Sequence, residues 1–188
     1  MAIETNESWY DHTYISVAAE GGSEIQLRSK TTSLNITGGN FDIEGVDTFG
    51  GKIKRVGSRE DLEVSFDGIP VSLQDFDWIF HGASDTATSI TSSSISDYRV
   101  TLLWTDQTSV TNAACAITTA SEAYREIYAE CNLVSLEKSQ NADENLVATL
   151  TFKTAFEDKD GSINFKKQMS DTTSSLTAVS AYTSTTKF

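Results

Sequence analysis

From Ser33 to Val71 the chain alternates apolar and polar residues in short runs broken by paired glycines, a pattern that restricts it to hairpin-rich β structure. Leu62, Val64 and Phe66 share one parity and Glu63, Ser65 and Asp67 the other, which is the period of a strand with one buried face. Gly38-Gly39 and Gly50-Gly51 fall where the chain must turn or bulge, because glycine alone takes positive φ without steric penalty. Upstream, Ile25 and Leu27 oppose Gln26 and Arg28, and Leu34 and Ile36 oppose Asn35 and Thr37. The spacing predicts antiparallel, hairpin-linked strands near residues 23–29, 31–37, 40–46, 50–57 and 60–68.

After Pro70 the period changes. Ser72 can cap a helix in which Leu73, Phe76, Ile79 and Phe80 recur at spacings of three and four before Gly82, so a helix is expected at about 73–81 with an aromatic face laid on a sheet. Residues 83–97 are dominated by Ser and Thr and read as an exposed loop. Strands are expected at 98–106, at 121–137 with a bulge where the apolar parity changes, and at 146–156. Asp158–Gly161 reads as a turn leading to a short edge strand at 163–165. The organisation expected is a polar N-terminal arm over 1–22, one β domain over 23–170 and a frayed polar tail over 171–188.

The chain of 188 residues carries a net charge of −13. That field disfavours sequence-independent binding to nucleic acid or to an anionic membrane surface, both of which need clustered cations. Against it stands one basic run, Lys52, Lys54, Arg55 and Arg59, which reads as a patch that pairs with acidic surface on another copy of the chain. The N-terminal segment lacks the basic start and apolar run of a signal peptide, and no stretch approaches the roughly 18 apolar residues of a membrane span. Cys115 and Cys131 are not in a CxxC arrangement and are expected to be free and buried. The two histidines, His12 and His81, are far apart and beside no cysteine, so no zinc-type ligand set is expected. Aligning Gly161 to the sixth position of a calcium loop puts Phe156 first and Lys167 twelfth, and the match fails at both anchors. No catalytic residue, metal site or cofactor site is expected.

Taken in order, the polar arm, the hairpin with glycine turns, the GGKIKR strand at 50–55, the strand EDLEVSFDGIPV at 60–71 and the amphipathic helix resemble the major tail tube proteins of tailed viruses. The segment SLEKSQNADENLVATLTFKTAFEDKDGSINF at 135–165 resembles their C-terminal strands, and the likeness spans most of residues 24–167. The resemblance implies an antiparallel β-sandwich or barrel with a flanking helix and a long hairpin. It implies self-assembly into six-membered rings that stack as a hollow, acidic-walled conduit, contacts with other tail proteins, and a place in the virion tail after synthesis in the host cytoplasm. Viral DNA passes through such a tube without specific binding, and the monomer does not insert into a membrane. Carried to this chain, the resemblance makes the hairpin at about 38–57, with Phe49, Lys52, Lys54 and Arg55, the candidate inter-subunit element. The arm with Trp9 and Tyr10 and the loop at 83–97 are further candidates. The competing class is an extracellular immunoglobulin-like adhesin or binding module, which a Ser/Thr-rich β surface fits equally.

Overall fold

Among the described residues, alternation in the sequence becomes ten strands: β1 His12–Ala19, β2 Ile25–Gln26, β3 Ser29–Thr37, β4 Phe41–Thr48, β5 Gly51–Arg59, β6 Leu62–Pro70, β7 Tyr98–Thr105, β8 Ala123–Ser139, β9 Val147–Thr154 and β10 Phe165–Ser170. The structure is a computed structural model and describes residues 12–22, 25–27, 29–48, 51–70, 97–105, 115–117, 122–171 and 173–188. The helix expected at 73–81 lies outside these residues, as does all of the 83–97 loop except Asp97.

Every pairing among the described strands is antiparallel. The main sheet runs β2-β1-β7-β8-β9-β6-β3, with β10 also on β8, and the described strands do not close into a barrel. Its centre is the 17-residue β8. The first half of β8 pairs with β7 on one edge and β10 on the other, while its second half pairs with β9. Between the halves Glu130 takes φ of 52°, and the register against β9 slips again between Leu133 and Ser135. This is how a strand turns a corner from one sheet of a sandwich into the other. The bulge expected from the parity change is present.

One core gathers Ile15 and Val17 of β1, Val64 and Phe66 of β6, Tyr98, Val100 and Leu102 of β7, Tyr128 and Cys131 of β8, and Leu150 and Phe152 of β9. Leu62, Val64 and Phe66 are buried as their parity predicts, and Leu34 and Ile36 of β3 pack against them. Both cysteines are buried thiols outside any disulfide.

Three expectations need correction. The polar arm is not a lead-in throughout: residues 12–19 are a strand that pairs with β7 along its whole length and puts Ile15 and Val17 into the core. Strands β3 to β6 are not a simple run of hairpins. β3 pairs with β6, and β4 with β5 form a separate two-stranded sheet, so the second pair is nested between the strands of the first. The C-terminal tail is not frayed, because Leu176 and Tyr182 are buried and an isolated bridge ties Leu176 to Ile117.

Candidate assembly surfaces

The break in pairing between the two strand pairs falls at two glycines. Gly38 and Gly39 take φ of 100° and 74°, and a Cβ on Gly38 would lie 1.8 Å from the carbonyl oxygen of Asp61. Only glycine allows the two chains to cross this closely. The crossing is closed by Gly39 N–H donating to Glu60 O and by Glu60 N–H donating to Asn40 O. Just beyond it the Arg59 guanidinium sits 4.3 Å from the ring centre of Phe41 and 4.0 Å from that of Phe156. A planar cation between two rings fastens the root of the β4–β5 hairpin to the end of β9. A cavity of about 430 Å³ opens there, lined by Phe41, Arg59, Asp61, Phe156, Glu157 and Asp158.

Of the residues expected at an interface, Lys52, Lys54 and Arg55 lie on β5 in this hairpin. Their Cα partners on β4 are Asp47, Gly45 and Glu44, so two of the three cations share a register position with a carboxylate residue. Arg59, the fourth member of the basic run, is engaged at the root. Trp9, Tyr10 and Phe49 lie outside the described residues.

A second surface escaped the sequence reading. On the outer face of β3, β6, β9 and the second half of β8, the register aligns three cross-strand rows. They are Ser33-Asp67-Thr149-Glu137, Asn35-Ser65-Thr151-Ser135 and Thr37-Glu63-Lys153-Asn132. No member is apolar. Asp67 accepts from Ser33 Oγ at 2.7 Å and from Thr149 Oγ1 at 2.6 Å, and the hydroxyls of Thr149 and Ser33 hold its carboxyl below the ordinary range. Ser65 and Thr151 hydroxyls meet at 3.2 Å, and Lys153 Nζ lies 2.8 Å from Glu63 Oε2. The rows are built of hydroxyls, amides, carboxylates and one ammonium, several of them bonded across strands, with the exposed Val134 of β8 beside them. The alternation marks these residues as outward-facing, but their alignment into rows depends on long-range register that no local pattern carries.

The third surface is the outer face of β7 and the first half of β8, where the C-terminal segment lies. Arg99 and Arg125 are fully buried beneath it. Arg125 Nη1 donates to Thr177 O at 2.8 Å and Cys115 O at 3.0 Å, while its Nε and Nη2 donate to Gln168 Oε1 at 3.0 and 2.6 Å. Arg99 donates from Nη2 to Ser180 O and from Nη1 to Lys187 O. Tyr182 exchanges main-chain bonds with Gly21 and Gly22, and its phenolic oxygen accepts the Glu130 N–H at 3.0 Å.

At the end of the segment Lys187 Nζ enters a socket of oxygens. It donates to Asn164 Oδ1 at 2.7 Å, Ser162 Oγ at 3.0 Å and Asp158 Oδ2, and it forms an ion pair with Glu130 Oε1 at 2.8 Å. The Lys187 ammonium, helped by bonds from Asn164 and Ser162, holds the Asp158 carboxyl down to about 2. The acidic turn is therefore a socket for the chain's own lysine, with Gly161 at φ 83° completing the reversal. Among the described residues no group of three or more His, Cys, Asp or Glu is arranged to hold a metal ion.

No protein-family model matches the chain, and no curated protein matches it. Several solved structures are similar. A chain of the anti-feeding prophage cap, the AFP tube-terminating cap, is 11% identical with a TM-score of 0.48, over 90% of this chain and 95% of that one. The sheath/tube terminator of an extracellular contractile injection system, PVC, is 16% identical with a TM-score of 0.49, over 89% and 99%. An Hcp protein is 10% identical with a TM-score of 0.34, over 84% and 98%. Scores below 0.5 transfer neither fold detail nor role, so any reading of this chain stands on its own residues.

Proposed function

We propose that the chain is a structural tube subunit of the major tail tube type, which assembles with copies of itself into stacked six-membered rings around a hollow bore. The observation that carries the reading is the outer face of β3, β6, β9 and β8. Its three aligned rows hold three carboxylates, Glu63, Asp67 and Glu137, against one cation, Lys153, and no apolar side chain. Such a face neither stacks bases nor replaces phosphate counterions, so a polyanion slides along it rather than binding. In this reading it is the wall of the bore, and viral DNA passes without specific contact. The chain then belongs to the tail of a virion, made in the host cytoplasm and joined to other tail proteins.

The hairpin β4–β5, with Phe49, Lys52, Lys54 and Arg55, reaches from the sandwich to a neighbouring copy in the same reading. Trp9 and Tyr10 belong to a second such contact. The reading is supported by the hairpin's separation from the main sheet and by the resemblance of residues 24–167 to tail tube proteins.

Electron microscopy of the purified chain across a concentration and salt series tests this. Hollow tubes of uniform bore are expected, and a map at side-chain resolution has Glu63, Asp67 and Glu137 on the inner wall. Monodisperse small particles under every condition would sink the tube reading and favour a monomeric binding module. Tubes with this face turned outward would remove it from the bore.

A further inference from the structure

The Lys187 socket holds an amine, a carboxamide and a carboxylate in mutual contact. The Asn164 carboxamide is buried and fixed in one orientation. Its Nδ2 donates to Asp158 Oδ1 at 2.7 Å and to Ala155 O at 3.2 Å, while its Oδ1 accepts from Lys187 Nζ at 2.7 Å. A lysine only donates and a carboxylate only accepts, so these partners fix which end of the carboxamide faces which. Lys187 Nζ therefore sits against Oδ1, one bond from the Asn164 carbonyl carbon. Asp158 bridges the pair, with Oδ2 on Lys187 Nζ and Oδ1 on Asn164 Nδ2. We propose that the socket is a self-modification site, in which Lys187 Nζ displaces the Asn164 amide nitrogen and joins the C-terminal segment to the start of β10 by a side-chain amide bond.

The bridging carboxylate is what sets this arrangement apart from an ordinary ion pair, because one group reaches both the nucleophile and the leaving nitrogen. The Lys187 ammonium passes one proton to Asp158 Oδ2, and the freed amine attacks Asn164 Cγ. The new C–N bond forms as the carbonyl electron pair moves onto Oδ1. That pair then returns, the bond from Cγ to Nδ2 breaks, and Nδ2 takes the proton from Asp158 and leaves as ammonia. A second proton passes from Nζ to the paired Glu130 and departs with the ammonia as ammonium, so an ammonium and a carboxamide become a substituted amide and an ammonium ion. Holding the two reactants together replaces an encounter in solution by a step within one fold. The step is slow. Burial works against the ammonium, but Asp158 and Glu130 outweigh it and raise the Lys187 value, so Nζ is seldom discharged. Freshly made chain carries the ion pair, and linked chain accumulates as it ages. The link covers residues 164–187 and pins the segment that lies over Arg99 and Arg125.

Mass spectrometry of the full chain, sampled over weeks at neutral and at alkaline pH, tests this. A species lighter by one ammonia should grow with time, and faster at alkaline pH, where the amine is more often free. Proteolysis should then yield a branched peptide that joins Asn164 to Lys187. Lys187→Arg keeps the positive charge but lacks the amine, and should hold its full mass throughout. Asp158→Asn keeps both reacting groups and removes the bridge, and should form the link roughly a hundredfold more slowly. A parent chain that keeps its full mass at every time and pH would overturn the proposal, and this reading needs no variant to fold. Loss of ammonia without the branched peptide would place the reaction at another asparagine and overturn it too. A branch from Lys187 to Asp158 with loss of water would do the same, by making the bridge the target. The outcome is independent of whether the chain forms tubes.

Discussion

Asp158 joins the acidic turn to the end of the chain through one carboxylate, which accepts from the Lys187 ammonium, Ser162 Oγ and Asn164 Nδ2. These donors favour the charged form, so the folded-state value falls to about 2 from an ordinary 3.8. A carboxyl lowered on folding contributes stability that is full above its unfolded value and is lost as the pH falls through the folded one. Denaturant unfolding of the parent and of Asp158→Asn should differ at neutral pH, with the parent more stable. The gap should hold down to about pH 4 and close toward pH 2. A gap that does not change over this range would mean that the socket adds nothing to stability through its charge. The sequence shows Asp158, Asp160 and Gly161 clearly as a turn. It does not show that Lys187, 29 residues later, fills the turn, because the pairing depends on where the tail is carried by residues with no pattern of their own.

The long strand β8 changes sheets at Glu130, and the C-terminal segment fastens that corner. A non-glycine residue at φ 52° is uncommon and needs its surroundings to hold it. Here the Glu130 amide donates to the Tyr182 hydroxyl, its carboxylate pairs with Lys187, and the preceding carbonyl of Ala129 accepts from Thr154 Oγ1 at 2.7 Å. Replacing Tyr182 by Phe keeps the ring and strands one part-buried amide, a loss of about 1 kcal/mol. Chemical denaturation should record that loss, and hydrogen exchange at Glu130 should accelerate more than exchange in β3, which lies at the far edge of the sheet beyond β9 and β6. Equal acceleration in both would mean that the hydroxyl supports the fold generally and not the corner.

The slip after Leu133 was legible, because Ile127, Ala129, Cys131 and Leu133 share one parity and Val134 and Leu136 the other, and burial writes itself into alternation. The covering segment was not. In isolation Arg99 and Arg125 read as the solvent-facing residues of their strands, because charge on an alternating strand ordinarily marks the wet side. They are buried because a Ser/Thr-rich tail lies over them and offers carbonyls in place of water. Similarly, β1 was masked by its polar neighbours, although Ile15 and Val17 already alternate with Tyr14 and Ser16.

Across the whole molecule, a charge of −13 on each copy opposes any association, while the hairpin cations Lys52, Lys54 and Arg55 stand out as local exceptions. These two effects respond differently to salt. Repulsion between whole molecules acts over a Debye length, which shrinks from about 30 Å at 0.01 M ionic strength to about 8 Å at 0.15 M. A close contact that has lost its cation keeps a like-charge clash inside that distance. Reversing all three hairpin cations to Glu lowers the charge by two at each position, from −13 to −19. Reversing the exposed Lys138, Lys159 and Lys166 produces the same total away from the hairpin and from the three polar rows. Both variants should fold, because Lys52, Lys54 and Arg55 sit on a hairpin separate from the main sheet and the other three are on its surface. Both should assemble poorly at low ionic strength. Light scattering and electron microscopy across a salt series should then separate them, with salt restoring assembly of the second variant and failing to restore that of the hairpin variant. If salt rescues both equally, the hairpin cations act only through total charge, and the contact between copies must be sought elsewhere on the surface.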